Sequence, residues 1–416
     1  METAEKGVRP CPSHRRRRGP MRGGRTHCPG TTRCARMLRR PSCRRSGPSW
    51  CSVTTRCGRR CSTTRRSRSR GGSRSCPERQ RRVSVVSDTL IGLDPPQHNR
   101  LRRLVTPAFR PNVVRALRPR VEAISRELLD AAVPLRDFDF DAYARPLTER
   151  VIAELLGIQP GDRERYTRLS MVLERSVGHF LGQDLPEEQL AAEAAFAAYA
   201  GYIGGVLESR RENPGDDFIS DLLRATAEPD GLTEHELLKM TILLNVAGAT
   251  TTQTLLATTV LELSRRPEVV ELLRGRRELV PNAVDEALRF HGTTHSVSRI
   301  GTRDTEIGGC PVHEGDTVLL NLQAADRDPA VFPDAGAFDI TRPTGRHLAF
   351  AIGAHYCAGA ALARTEAAVF LEQWLDRVQA FSCPPGPLDW APGRLSNIIL
   401  DSPPVHVEPV GTGGEV

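Results

Sequence analysis

Residues 347–366 read HLAFAIGAHYCAGAALARTE. Cys357 stands in a short loop, and the text from about Gly359 reads as a helix. A helix N-terminus carries partial positive charge and unpaired N–H groups, and both favour a thiolate. Gly353 and Gly359 allow the backbone to crowd around the sulfur. Phe350 can shield one side, and His347 and His355 add donors nearby. A single thiolate in a glycine-lined, aromatic-shielded turn suits the fifth ligand of a haem iron. From Cys357 alone other readings stay open. A zinc site could use Cys357 and His355, but it needs further ligands and no CxxC is present. A nucleophilic cysteine would want a partnered histidine in a polar cleft. A merely buried cysteine is the commonest fate of any cysteine, and it is the reading for Cys310 and Cys383.

Outward from this loop the chain is mostly helical. Residues 112–131 place Val114, Leu117, Val121, Ile124 and Leu128 at helical spacing. Residues 146–157, 186–212, 234–263, 265–277, 280–290 and 358–377 read similarly. Strand signals are short and late, at 295–301, 304–308, 316–320 and 394–408. The Pro- and Asp-rich text from 325 to 346 reads as an irregular loop. The fold class is mainly α with small β-sheets. One helix needs a decision. Met240–Leu261 runs 22 residues without a charge, enough to span a bilayer. It also holds seven threonines, Asn245 and Gln253, which makes it the buried central helix of a large domain. Glycine inside a helix costs about 1 kcal/mol relative to alanine, so something needs close approach at Gly248.

The 416 residues carry a formal net charge of +8, and that average hides a break. Residues 1–82 hold 24 Arg and one Lys against Glu2, Glu5 and Glu78, a balance of +22. The remaining 334 residues hold 33 basic and 47 acidic side chains, a balance of −14. Eight of the 11 cysteines lie in the first 82 residues, which contain no Ile, Phe or Tyr. So little apolar surface cannot offset the entropy of ordering. No apolar run follows the charges, which excludes a secretory signal, and the prolines and glycines spoil an amphipathic transit helix. The composition is that of GC-rich DNA translated out of frame. The expected division is therefore a non-globular, mistranslated segment at 1–82 and a folded domain at 83–416.

At Cys357 a resemblance becomes plain. FAIGAHYCAG is similar to the haem-binding signature of cytochrome P-450, with Phe350, Gly353, Cys357 and Gly359 at its fixed positions. Further landmarks follow in the family's order. EALR, Glu286 to Arg289, resembles the helix motif whose Glu and Arg pair. DRDPAVFPDAGAFDITR, 326–342, resembles the loop before the signature, with Arg342 where a third member joins that pair. AGATTT, 247–252, resembles the oxygen-binding helix. DPPQHNRLRRLVTPAF, 94–109, resembles the haem-clamping helix of the soluble bacterial members. The match covers nearly all of 83–416.

The resemblance implies a cytochrome P-450 fold, with the N-terminal sheet and first helices missing or disordered where residues 1–82 stand. It implies heme b (iron protoporphyrin IX) as cofactor, with Cys357 as the iron ligand. His98 and Arg102 lie at i and i+4 on one helical face and would bind haem propionates, as would Arg299 and His347. Glu286, Arg289 and Arg342 would form a structural network whose loss costs haem incorporation. Gly248 would leave room for dioxygen. Thr251 would hydrogen-bond the bound oxygen; the bland alternative is a threonine bonded to its own helix backbone. Two positions depart from the pattern. Thr250 stands where most members carry an acid, and a hydroxyl is no proton reservoir near neutral pH. Ala351 stands where glycine is usual, tolerable if its φ is negative.

The activity so implied is a cytoplasmic monooxygenase that inserts one oxygen atom from O₂ into a small organic substrate of secondary metabolism. No flavin or nicotinamide fingerprint is visible, so electrons come from a ferredoxin and ferredoxin reductase in trans, docking near Arg102, Arg103 and Arg364. Neither nucleic acid nor membrane is expected as a partner. Peroxide-driven chemistry or oxidative coupling on a small-molecule or carrier-bound substrate is the alternative motivated by Thr250. An inactive haem-binding remnant is the alternative motivated by residues 1–82. Pocket candidates are Thr294, His295 and Val297, Asn245, and Ile398 with Ile399.

Overall fold

The computed structural model describes residues 53–54, 89–177, 186–343, 345–384 and 403–410. In chain order the helices are α1 (Gln97–Val105), α2 (Pro111–Ala132), α3 (Asp141–Leu156), α4 (Arg163–Val177), α5 (Pro186–Glu212), α6 (Phe218–Thr226), α7 (Glu234–Ser264), α8 (Pro267–Gly275), α9 (Val280–Phe290), α10 (Leu322–Ala325) and α11 (Ala360–Arg377). The strands are β1 (Val53–Thr54), β2 (Asp137–Asp139), β3 (Ser296–Ile300), β4 (Thr305–Ile307), β5 (Cys310–Val312), β6 (Thr317–Asn321), β7 (Val378–Ser382) and β8 (Pro404–Pro409).

Helix α7 runs through the middle of the core. Its start is fixed by a capping box: the Thr233 hydroxyl accepts from the Glu236 N–H at 3.2 Å, and the Glu236 carboxylate accepts from the Thr233 N–H at 2.9 Å. A buried helix rich in threonine must satisfy its hydroxyls. Here Thr241, Thr254, Thr258 and Thr259 each donate to a carbonyl four residues back, at 2.7–3.0 Å. These four threonines are thus paired within the helix itself, while Asn245 and Gln253 bond to neighbouring helices. No helix among the described residues is long and apolar enough to cross a membrane.

Helices α3, α4, α5 and α6 pack against α7, and α11 lies against α2 and α9. Trp374 of α11, fully buried, sits 5.3–5.9 Å ring to ring from Phe140, Phe370 and Phe381. Three small antiparallel sheets complete the fold: β1–β6–β3, β2–β8–β7 and the β4–β5 hairpin. Ser296 pairs with Asn321 and Ile300 with Thr317, which fixes the register that carries Arg299.

Three helices are absent from the sequence reading: α4, α6 and the single-turn α10. In α4 the buried stripe includes Tyr166, Ser170, Leu173 and Glu174, so half of it is polar and the apolar period is masked. Helix α6 is only nine residues long and is announced by its cap, Asp217, whose carboxylate accepts from the Ser220 N–H at 2.9 Å. Helix α3 starts at Asp141, ahead of Pro146, and carries that proline in its interior. The expected character of residues 1–82 lies outside the described residues, except for the backbone of Val53–Thr54. That pair of β-branched residues lies antiparallel to Leu320 and Leu319 of β6. Ile398, Ile399 and the first half of the expected last strand also lie outside them.

Candidate functional site

The loop before α11 is held by its own backbone. The Cys357 N–H donates to the Phe350 carbonyl at 2.9 Å, and the Ala351 N–H donates to Leu348 at 2.7 Å. Asp326 reaches in from the irregular loop, its Oδ1 accepting from the Leu348 N–H at 2.6 Å. Burial pushes the Asp326 carboxyl up to about 6. Gly353 has φ +72°, a conformation that glycine adopts without strain. Ala351 has φ +55°. The condition for tolerating alanine there, a negative φ, is not met: the loop bends through the left-handed region and Ala351 bears that strain. Gly359 has φ −85°, and a Cβ on it would meet no atom within 4 Å.

Cys357 is free and exposed. Enough protein surrounds its sulfur that loss of hydration pushes the thiol pKa up. The N–H groups of Gly359 and Ala360, Arg102 and Arg364 oppose that rise without overcoming it. The N–H groups at the helix start thus favour the thiolate, as the sequence suggests, while burial works against it. A bound metal cation deprotonates a coordinating thiol outright.

The structure brings together His98, His355 and Arg299. The His98 and His355 rings lie 4.4 Å apart. Burial, then His98, then Arg299 push the His355 pKa down, with Asp94 opposing. Arg299 is exposed, and its guanidinium donates to the Ser298 carbonyl at 2.8 Å. Such a cationic edge calls for anions. Arg102 shares the α1 face with His98, but its guanidinium donates to the Tyr356 carbonyl at 2.8 Å, beside Cys357. His347 also departs from expectation. It is buried, its Nδ1 accepts from the Ala349 N–H at 3.3 Å, and its Nε2 lies 3.4 Å from both Asp285 and Arg364. Both ring nitrogens are engaged, so His347 braces the loop.

Behind the loop Glu286 and Arg289 form a buried pair. Arg289 Nε and Nη2 donate to the two Glu286 oxygens, each at 2.7 Å, and both side chains are 0% exposed. The remaining Arg289 hydrogens go to the carbonyls of Asp326, Ala335 and Ala337 at 2.8–3.0 Å. Glu286 also accepts from the Asp339 N–H at 2.8 Å, with Arg342 Nε at 3.8 Å. Arg289 therefore organises the irregular loop that carries Asp326.

On α7, Thr251 donates to the Ala247 carbonyl at 2.7 Å, the back-bonded form, and remains partly open to solvent. The Thr250 carbonyl accepts from Thr254. The close approach expected at Gly248 is present, but its partner is protein. A Cβ there would lie 2.5 Å from Ile152 Cδ1 of α3, so the glycine accommodates helix packing rather than open space. Asn245 is fully buried and bonded to Ser170 at 2.7 Å and to Tyr166. It belongs to the α4–α7 contact and not to a substrate pocket. His295 is half-buried, with Nδ1 2.7 Å from the Ser296 hydroxyl, and burial lowers its pKa. The sequence reading missed Asp285 altogether; its only signal was its place immediately before the EALR motif.

A thiol under directed N–H groups, an aromatic neighbour and a cationic edge fit a flat metal cofactor that carries two carboxylates. The fold and this site define a haem-thiolate protein. The family model described as cytochrome P450 matches residues 171–405. Mycinamicin IV hydroxylase/epoxidase of Micromonospora griseorubida is 40% identical over 342 residues, covering 81% of this chain and 84% of that protein. Nocardicin C N-oxygenase of Nocardia uniformis is 36% identical over 351 residues, covering 82% and 85%. Among solved structures, CalO2 superposes with a TM-score of 0.73 at 29% identity, covering 79% and 82%. BioI, solved in complex with hexadec-9Z-enoic acid ligated acyl carrier protein, superposes at 0.72 and 30% identity, covering 78% and 83%. The chain belongs to the cytochrome P-450 family: it is a monooxygenase whose cofactor is heme b.

Proposed function

We propose that this monooxygenase inserts one oxygen atom from O₂ into a small organic molecule of secondary metabolism, in the cytoplasm, with electrons from a separate ferredoxin and its reductase. The single observation that carries this reading is the Cys357 loop, with the Gly359 and Ala360 N–H groups on the sulfur and the His98–His355–Arg299 edge beside it. Heme b, when bound, supplies dioxygen binding and oxygen transfer. Cys357 would ligate the iron, the cationic edge would receive the propionates, and Thr251 would offer a hydroxyl to the bound oxygen. The relatives' printed names support the substrate class: one acts on mycinamicin IV, another on nocardicin C, and a third, 37% identical, on 6-deoxyerythronolide B. Arg102 and Arg364 both act on Cys357, and Tyr356 and Ile352 are exposed beside them, a face suited to an acidic electron donor. Turnover of a panel holding mycinamicin IV, nocardicin C and 6-deoxyerythronolide B by the haem-loaded chain tests the reading. Product with ferredoxin, reductase and O₂ supports it; no oxygenated product from any member counts against it.

Thr250 favours a second reading. Without a carboxylate before Thr251, protons reach the site through hydroxyls and water, and peroxide-driven or coupling chemistry on a free or carrier-bound substrate becomes competitive. Product with hydrogen peroxide alone, at a rate matching the ferredoxin system, would favour it.

A further inference from the structure

Arg364 lies in the first turns of α11, seven residues past Cys357, and four side chains surround its guanidinium. Its guanidinium carbon stands 4.6 Å from the centre of the Phe350 ring. Its Nε donates to Asp285 Oδ1 at 2.7 Å, and its Nη1 and Nη2 lie 3.4 Å from the Tyr356 hydroxyl and from His347 Nε2. Phe350 in turn accepts the Cys357 N–H through its carbonyl at 2.9 Å, and its ring lies 6.5 Å from Tyr356 and 5.9 Å from His347. A guanidinium over a ring face is attracted by the ring quadrupole. Held there by a carboxylate, it fixes both the ring and a positive charge beside the sulfur. That side chain is about one-third exposed, and it meets Tyr356, whose carbonyl also accepts from Arg102 at 2.8 Å.

We propose that Arg364 is a positioning residue for the thiolate: it pins Phe350 from its outer face and holds the positive charge that sets how readily the haem iron accepts an electron. The inference rests on Cys357 as the iron ligand. One-electron reduction of ferric to ferrous haem adds negative charge, so a nearby cation favours the reduced form and a nearby carboxylate disfavours it. Arg364 and Asp285 therefore push in opposite directions, although they are one ion pair.

The test is a potentiometric titration of the haem-loaded protein with dithionite, after its reduced-CO spectrum has been recorded. Replacing Arg364→Met keeps the apolar stem and removes the charge. The ratio of reduced to oxidised haem at the wild-type midpoint is expected to fall about threefold, which is about 28 mV for a one-electron couple. Asp285→Asn should raise that ratio by a similar factor, and Arg364→Lys should stay within twofold of wild type. Loss of packing alone would move the Met and Asn variants the same way, and that result overturns the proposal. So does an unchanged ratio in Arg364→Met. A wild-type chain without the thiolate–CO band would remove the reading beneath it, which is a separate outcome read in the spectrum and not in the potential. Should the Met variant lose haem, the Asn and Lys variants decide the case by the same signs.

Discussion

Two buried carboxylates show what a partner is worth. Glu286 and Glu149 are both nearly inaccessible, at 0% and 3% exposure. Glu286 faces a two-pronged guanidinium and a backbone N–H, and Arg289 spends its remaining hydrogens on three carbonyls. Glu149, on α3, has no hydrogen-bond partner for Oε1. Burial pushes its pKa up to about 7 against the pull of Arg145 and Thr167, and Asp141 adds to the rise. One carboxylate organises the loop behind the cofactor site. The other is a carboxyl whose charged form burial disfavours.

The largest expected effect comes from breaking the satisfied pair. Arg289→Met strands Glu286 and frees three carbonyls, and such a change costs about 3–5 kcal/mol. Urea unfolding should show that loss, and the haem-to-protein ratio after expression should fall sharply. Glu149→Gln is expected to act in the opposite direction. Its folded pKa, about 7, lies above the ordinary 4.5, so its contribution is complete below pH 4.5 and is lost as pH rises through 7. At pH 8 the glutamine variant should be more stable by on the order of 3 kcal/mol, with no gain at pH 4. A denaturation series in pH that shows equal gains at both ends would contradict this account.

A smaller effect belongs to the signature loop. Ala351 at φ +55° bears a left-handed conformation costing about 1–2 kcal/mol, of which glycine's greater unfolded freedom returns about half. Ala351→Gly should therefore stabilise by about 0.5–1 kcal/mol and slow haem loss to a scavenging apoprotein. The smallest stability effect is expected at Thr251, whose hydroxyl only back-bonds to Ala247. Thr251→Ala should change stability by less than about 0.5 kcal/mol while product formed per O₂ consumed falls. Equal product yield in wild type and variant would leave Thr251 as a packing residue.

Much of this was readable in the sequence, for physical reasons. Helix α5 matches its expected bounds and α7 differs by one residue, because capping and unbroken periodicity are local signals. Glu286, Arg289 and Cys357 were recognisable because each is bound to a motif of fixed spacing. Contacts between distant elements were not. Gly248 showed that something approaches closely, but only the packing of α3 identifies Ile152. His347 and His355 lie eight residues apart in one loop, and nothing in their spacing says which one turns toward Asp285. The φ of Ala351 is set by the whole turn from Leu348 to Cys357, so an alanine there could not announce its strain. The polar stripe of α4 hid a helix because its buried face is satisfied by Asn245 of α7 rather than by apolar neighbours.

The most direct measurement is the reduced-CO difference spectrum of the haem-loaded chain beside Cys357→Ser. A band at about 450 nm in the parent chain, absent from the variant, is what thiolate ligation by Cys357 predicts. A parent band at shorter wavelength, as for a protonated thiol or an imidazole ligand, or a 450 nm band that survives the substitution, would contradict the account at its centre.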